Sequence, residues 1–309
     1  MLNASGRQDP APGIDRRNDA GLLEPGWRES WCHVNDVDLH VIEAGRLGDP
    51  VVVLLHGFPE FWWAWRHQIT PLAEAGYHVV VPDLRGYNLS SAPRETSAYR
   101  LDQLIQDVVG LASELGADTF HLVGHDWGAV IGWCVAARHE ERVKRAVLIS
   151  GPHPEAWVEQ VFKSPAQALR SAYIAFFQMP LLPETILSAL GFARLKAALR
   201  RSARRETFAP PVLERYAAAW TRPGSLSGML AYYRALRAAK AGRAVGRVEP
   251  PLLLIWGDRD RFLGRQLMEA SLARCDRGSF RAVEGGTHWM HLEQPDLITG
   301  EIVRFLGEP

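Results

Sequence analysis

Phe120-His121-Leu122-Val123-Gly124-His125-Asp126-Trp127-Gly128-Ala129 carries an apolar strand into a helix-forming run through one sharp turn, with an aspartate at its apex. The spelling is Gly-x-nucleophile-x-Gly, in which small residues let the chain bend tightly and push the central side chain outward. The helix beginning beneath it favours negative charge. An acid at the apex suits one kind of chemistry. Serine attack on a saturated carbon leaves an ether, which water does not readily cleave, whereas carboxylate attack leaves an ester, which it does. A carboxylate with a reference pKa near ~3.9 is ionised at neutral pH and needs no activating base. A histidine is then free to serve a second, hydrolytic step. A helix-capping aspartate would give the same local spelling, so the assignment of Asp126 as nucleophile depends on the rest of the chain.

Working outward, short runs apolar on both faces stand on either side of this turn: VVVLL at 51–55, HVVV at 78–81, FHLVG at 120–124, AVLIS at 146–150 and LLLIW at 252–256. Such strands need helices on both sides, so they predict a mostly parallel central sheet in an α/β fold. Leu101, Leu104, Ile105, Val108, Leu111, Ala112 and Leu115 are spaced three and four apart and predict one amphipathic helix. From 152 to 246 strand signals vanish and Ala, Leu, Arg and aromatics take over, broken by prolines. This predicts a helical cap at 152–246, placed over the carboxyl ends of the strands, and an α/β core at 27–151 and 247–309. Residues 1–26 are polar and rich in Gly, Pro and Asp, and read as a mobile tail.

Composition narrows the partners. Of 309 residues, 35 are Lys or Arg and 35 are Asp or Glu, so the formal charge is zero and nothing favours nucleic acid or an anionic surface. Cys32, Cys134 and Cys275 form no metal-binding or paired spacing, no cofactor motif occurs, and no run is long enough to span a bilayer. These features imply a cofactor-free, metal-free chain in the cytoplasm, acting on a small molecule as monomer or homodimer. The basic run Arg194, Lys196, Arg200, Arg201, Arg204 and Arg205 reads as a solvated helix face.

The histidine has two candidates in GGTHWMHLEQP. His288 is preferred because it follows the Gly285-Gly286 turn after the strand-like SFRAV, while His291 falls nearer the terminal helix. Asp260, in WGDRD after LLLIW, can hold its tautomer and stabilise its protonated form, with Asp258 as the competing acid. The chain order nucleophile, acid, histidine is that of α/β-hydrolases, in which the residue after the nucleophile, here Trp127, and the loop after an early strand, here Phe58 in HGFP, offer N–H groups to an oxyanion.

Taken together, HGFPEFWWAWR (56–66), DLRGY (83–87), GHDWGA (124–129), WGDRD (256–260) and GTHW (286–289) resemble the epoxide hydrolases of the α/β-hydrolase fold over about 27–307. The resemblance implies two cap tyrosines that hydrogen-bond an epoxide oxygen. Tyr173, in YIAFFQMP, matches the first, and Tyr233, in LAYYRA, matches the second ahead of its neighbour Tyr232. It further implies a small hydrophobic epoxide and water as reactants. His56, Pro59, Trp62 and Trp289 are candidates to contact substrate in an aromatic site, with Trp62 and Trp65 equally assignable to the core. Asn88 departs from the more usual glycine, and asparagine tolerates left-handed angles. Dehalogenases share these core segments, and a ligand-sensing protein of the same fold would keep them. A phenol can give a proton to an alkoxide, whereas a departing halide calls only for N–H donors, so the paired tyrosines favour epoxides.

Overall fold

A computed structural model describes residues 20–238 and 244–308. Eight strands form one sheet: β1 (Arg28–Val34), β2 (Val37–Ala44), β3 (Val51–Leu55), β4 (His78–Pro82), β5 (Phe120–His125), β6 (Val143–Ile149), β7 (Leu252–Gly257) and β8 (Gly278–Val283). Their spatial order is β1-β2-β4-β3-β5-β6-β7-β8, with β2 antiparallel to both its neighbours, β1 and β4, and every other pairing parallel. The five apolar runs are all strands. β3, β4, β5 and β7 are buried along their whole length, as strands covered on both faces must be.

Strands β1 and β2 extend the sheet beyond the buried-type runs. Their sequences, RESWCHV and VDLHVIEA, mix polar and apolar residues. Asn35 and Asp36 link them with φ values of 48° and 60°, the left-handed pair that a tight hairpin turn demands. Asn88 likewise adopts φ 42°, with its side-chain amide donating to Asp83.

Helices α1 (Arg66–Glu74), α2 (Leu101–Glu114) and α3 (Trp127–Arg138) cover the first half of the sheet. Between β6 and β7 lie α4 (Pro154–Lys163), α5 (Pro165–Arg170), α6 (Tyr173–Phe177), α7 (Leu182–Ser202, broken at Ala189–Phe192), α8 (Pro210–Trp220) and α9 (Ser225–Ala238), with no strand among the described residues. α10 (Arg265–Leu272), α11 (Met290–Glu293) and α12 (Pro295–Leu306) complete the chain. Most of the expected tail, 1–19, lies outside the described residues; within 20–26 there is a short 3-10 turn at Ala20–Leu22.

Register brings the loops of β3 and β5 together. Leu55 pairs with Gly124, so Gly57 and Asp126 emerge side by side two residues later. Space there is minimal. A Cβ on Gly124 would stand 2.4 Å from the Gly128 carbonyl oxygen, and one on Gly128 would stand 2.1 Å from that of Leu55. Gly128→Ala is therefore expected to cost at least about 3 kcal/mol, since the clash is with backbone. Gly300, exposed in α12 with nothing within 4 Å of its missing Cβ, should gain up to about 1 kcal/mol on Gly300→Ala. Thermal or denaturant unfolding of the two variants should move in opposite directions.

Candidate active site

Asp126 sits between β5 and α3 at φ 50° and ψ −116°, a left-handed conformation rare for a residue with a Cβ. Its side chain makes no capping bond to α3. Instead, Oδ1 accepts a hydrogen bond from the Phe58 backbone N–H at 2.8 Å, and Oδ2 faces His288 Nε2 at 3.4 Å. Trp127 is the first residue of α3, so its N–H belongs to the turn whose donors have no partner within the helix.

His288 Nδ1 lies 2.8 Å from Asp260 Oδ2. Asp260 Oδ1 accepts from the N–H groups of Phe262 at 2.8 Å and Leu263 at 3.1 Å, so both its oxygens are satisfied in a buried setting. Burial would raise the Asp260 pKa, but His288 and the two backbone donors bring it below its usual value. For His288, burial acts to lower the pKa; the charge of Asp260, its hydrogen bond, and the hydrogen bond and charge of Asp126 outweigh it and push it up to about 10. At neutral pH the imidazole is protonated between two carboxylates. Asp258, the competing acid, is exposed. His291, the competing histidine, is fully buried and bonded through Nε2 to Glu60 at 3.0 Å, with burial lowering its pKa to about 4.

Glu60 was not anticipated from sequence. Its buried carboxylate joins His125 Nδ1 at 2.7 Å, His291 Nε2 at 3.0 Å and the Gly57 N–H at 3.1 Å, while His125 Nε2 lies 2.9 Å from the His288 carbonyl oxygen. One carboxylate thus ties together the loops that carry Phe58, Asp126 and His288. Burial would raise the Glu60 pKa, but the two facing imidazoles hold it well below its usual value. These three side chains are also close enough to hold a metal ion, yet they are already bonded to one another. The acid in HGFPE was the available signal, but no spacing rule singles it out.

Two pockets adjoin at Asp126 and make up the two lobes of the site. One lobe has a volume of about 610 Å³ and is lined by Trp127, Trp157, Tyr173, Tyr233 and Leu236 among others; the second, about 270 Å³, is lined by Phe58, Pro59, Phe177, Leu199, His288 and Trp289 among others. Asp126, Tyr173 and Tyr233 border both. The rings of Tyr173 and Tyr233 are 6.0 Å apart, and Tyr233 packs edge-on against Phe58 and Trp127. Burial raises both phenol pKa values, and the charge of Asp126 adds to it, so both hydroxyls keep their protons. Tyr232 is turned away, donating to the Arg85 carbonyl oxygen at 2.9 Å.

Pro59 and Trp289 reach the cavity, but His56 and Trp62 line neither lobe, contrary to expectation. His56 is fully buried behind the site, where Nε2 accepts from the Leu84 N–H at 3.0 Å and Nδ1 faces the Gly57 carbonyl. Its role is to brace two loops. Trp62 is also fully buried, edge-on to Trp27, and belongs with Trp65 in the core.

A parallel sheet with an acid at a strand–helix elbow and a histidine–acid pair at later strand ends defines a hydrolase of the α/β type. The sequence profile described as "alpha/beta hydrolase fold" matches residues 50–295. A protein named AB hydrolase superfamily protein YfhM, of Bacillus subtilis, is 38% identical over 281 residues, covering 91% of this chain and 98% of that one. Epoxide hydrolase 4 of Mus musculus is 36% identical, covering 95% of this chain and 84% of its own. The crystal structure of a Bacillus megaterium epoxide hydrolase in complex with an inhibitor superposes with a TM-score of 0.83 at 28% identity, covering 90% of this chain and all (100%) of that one. The chain belongs to the α/β-hydrolase fold family, within its epoxide hydrolase branch.

The cluster under the site gives a testable consequence. Glu60→Ala leaves two buried imidazoles without their acceptor and should cost about 3–5 kcal/mol in denaturant unfolding. Glu60→Gln, which keeps one acceptor oxygen, should lose less.

Proposed function

We propose that this protein hydrolyses epoxides to vicinal diols through a covalent ester on Asp126. The observation that carries the proposal is the facing arrangement across the site: a carboxylate backed by His288 and Asp260 on one side, two protonated phenols on the other. In the first step Oδ2 of Asp126 attacks a ring carbon, the C–O bond breaks, and the released alkoxide takes a proton from Tyr173 or Tyr233. Esterification removes the charge of Asp126, and with it part of what keeps His288 protonated. The proton His288 gives up makes good the one the phenol has donated, leaving a neutral imidazole. That imidazole takes a proton from water, whose oxygen attacks the Asp126 carboxyl carbon. Oδ1 becomes the oxyanion, with the Phe58 N–H already bonded to it and the Trp127 N–H as second donor. Collapse breaks the bond between the carboxyl carbon and the diol oxygen, His288 protonates that oxygen, and the new Asp126 carboxyl group then passes its proton to His288, which restores the carboxylate and the imidazolium.

Helices α4–α9 serve as the cap that supplies both tyrosines. The paired phenols also weigh against dehalogenation, because a halide leaves without needing a proton. Cytoplasmic residence fits cysteines that are all unbridged, and no described helix is long and apolar enough to cross a membrane.

Asp126→Ala should abolish diol formation, and His288→Gln should accumulate an ester visible as a mass increase on the peptide containing Asp126. Release of halide from haloalkanes with no diol from any epoxide would replace this reading with a dehalogenase. The order of events also fixes a titration. Asp126→Asn removes the charge as the ester does, so by imidazole NMR His288 should lose its proton near pH 10 in the wild type and at a pH lower by at least about 1 in the variant. An unchanged or higher midpoint would contradict the proposed switch.

A further inference from the structure

The two lobes of the site differ in size and meet at the reacting groups. Because Asp126, Tyr173 and Tyr233 border both lobes, an epoxide oxygen held by the phenols over the carboxylate lies at the waist. Groups on the two ring carbons then leave in opposite directions. A terminal epoxide would fill only one lobe and leave an apolar space unoccupied.

The smaller lobe, about 270 Å³, is walled by Phe58, Phe177, Leu195, Leu199 and Trp289. A dry cavity of about 150 Å³ already takes up benzene, so this lobe has room for one ring or a short alkyl group. Apart from the reacting groups, its one side-chain hydroxyl is spoken for: Ser202 donates to the Leu199 carbonyl at 3.0 Å and accepts from the Trp289 indole at 3.0 Å. The larger lobe, about 610 Å³, is walled by Trp127, Val130, Trp157, Ile174 and Leu236. Its charged lining residues besides Asp126 are Glu155 and Glu159, both paired with Arg274, and among the described residues no Lys or Arg lines either lobe. A carboxylate carried into the larger lobe would meet two further carboxylates and, among the described residues, no lining cation.

Resting on the epoxide-hydrolysing reading above, we propose that the preferred substrates are uncharged epoxides substituted on both ring carbons, with an aryl or short alkyl group in the smaller lobe and a longer apolar group in the larger. Binding energy from two apolar groups on opposite sides of the ring also fixes its carbons against Asp126, which favours the reacting geometry.

The test is a series of trans-2-phenyloxiranes carrying hydrogen, methyl, butyl or octyl on the other carbon, with an octyl analogue ending in carboxylate and its methyl ester. We expect kcat/KM to rise at least about tenfold from the terminal epoxide to the butyl compound. The carboxylate should cost about tenfold, restored by the ester. Leu199→Trp, which fills the smaller lobe, should cut the ratio of kcat/KM for the butyl compound over the terminal epoxide about tenfold. If the terminal epoxide is turned over as well as the butyl compound, this inference is overturned and the epoxide-hydrolysing reading stands. If no member of the series gives a diol while the protein remains folded, the reading beneath it fails as well.

Discussion

Backbone crowding around Asp126 is the constraint on which the site depends. The residue is held at φ 50° between a strand and a helix, a conformation that costs about 1–3 kcal/mol and persists only where the surroundings impose it. Here they do so by contact. A Cβ on Gly57 would meet that of Asp126 at 2.4 Å, one on Gly128 would meet the end of β3 at 2.1 Å, and one on Gly151 would meet the Ala129 side chain at 2.4 Å. The three approaches fasten the elbow to the loop after β3 and to the chain leaving β6. The same closeness lets the Phe58 N–H reach Oδ1. Strain and site geometry have one origin.

With the carboxylate fixed, charge balance organises the remainder. His288 is buried, and burial alone would leave it neutral; two carboxylates reverse that. Its proton therefore depends on a charge that the proposed reaction removes and restores. Such a device works only if the imidazole does not move when the charge disappears. Asp260 secures one ring nitrogen through an acid that is itself bonded to two backbone N–H groups. Glu60, acting through His125, secures the His288 backbone from the opposite side.

Features that depend on local spacing were legible in the sequence. The elbow, the apolar strands and the α2 stripe follow from periodicity or from turn chemistry, and the order Asp126, Asp260, His288 from its match to the α/β-hydrolase pattern. Strands β1 and β2 were not, because their sequences mix polar with apolar residues and lack the continuous apolar run of the central strands. His56 and Trp62 sit in a motif that reaches the site, but the motif contains bracing residues as well as lining ones, and only three-dimensional packing separates them. Glu60 was overlooked for a related reason: its partners lie 65 and 231 residues away. The choice between Tyr232 and Tyr233 turned on which face of α9 meets the cavity, and Tyr232 is committed to the Arg85 carbonyl.

The division of labour between sheet and helical segment bears on how selectivity arises. Asp126, His288, Asp260 and Phe58 all stand on loops at the carboxyl ends of strands in the buried sheet, and their geometry is set by crowding that tolerates little change. Tyr173 and Tyr233, with Phe177 and Leu199, come from helices that leave the sheet after β6 and return at β7. In the proposed roles of nucleophile and water-activating pair, Asp126 and His288 with Asp260 suit any leaving group on saturated carbon. A protonated phenol suits one that departs as an alkoxide. Burial raises both phenol pKa values, which favours the neutral, donating form and keeps each proton in place until an alkoxide develops beside it. On the proposed mechanism, the type of bond broken is selected by the helical segment, which supplies both tyrosines.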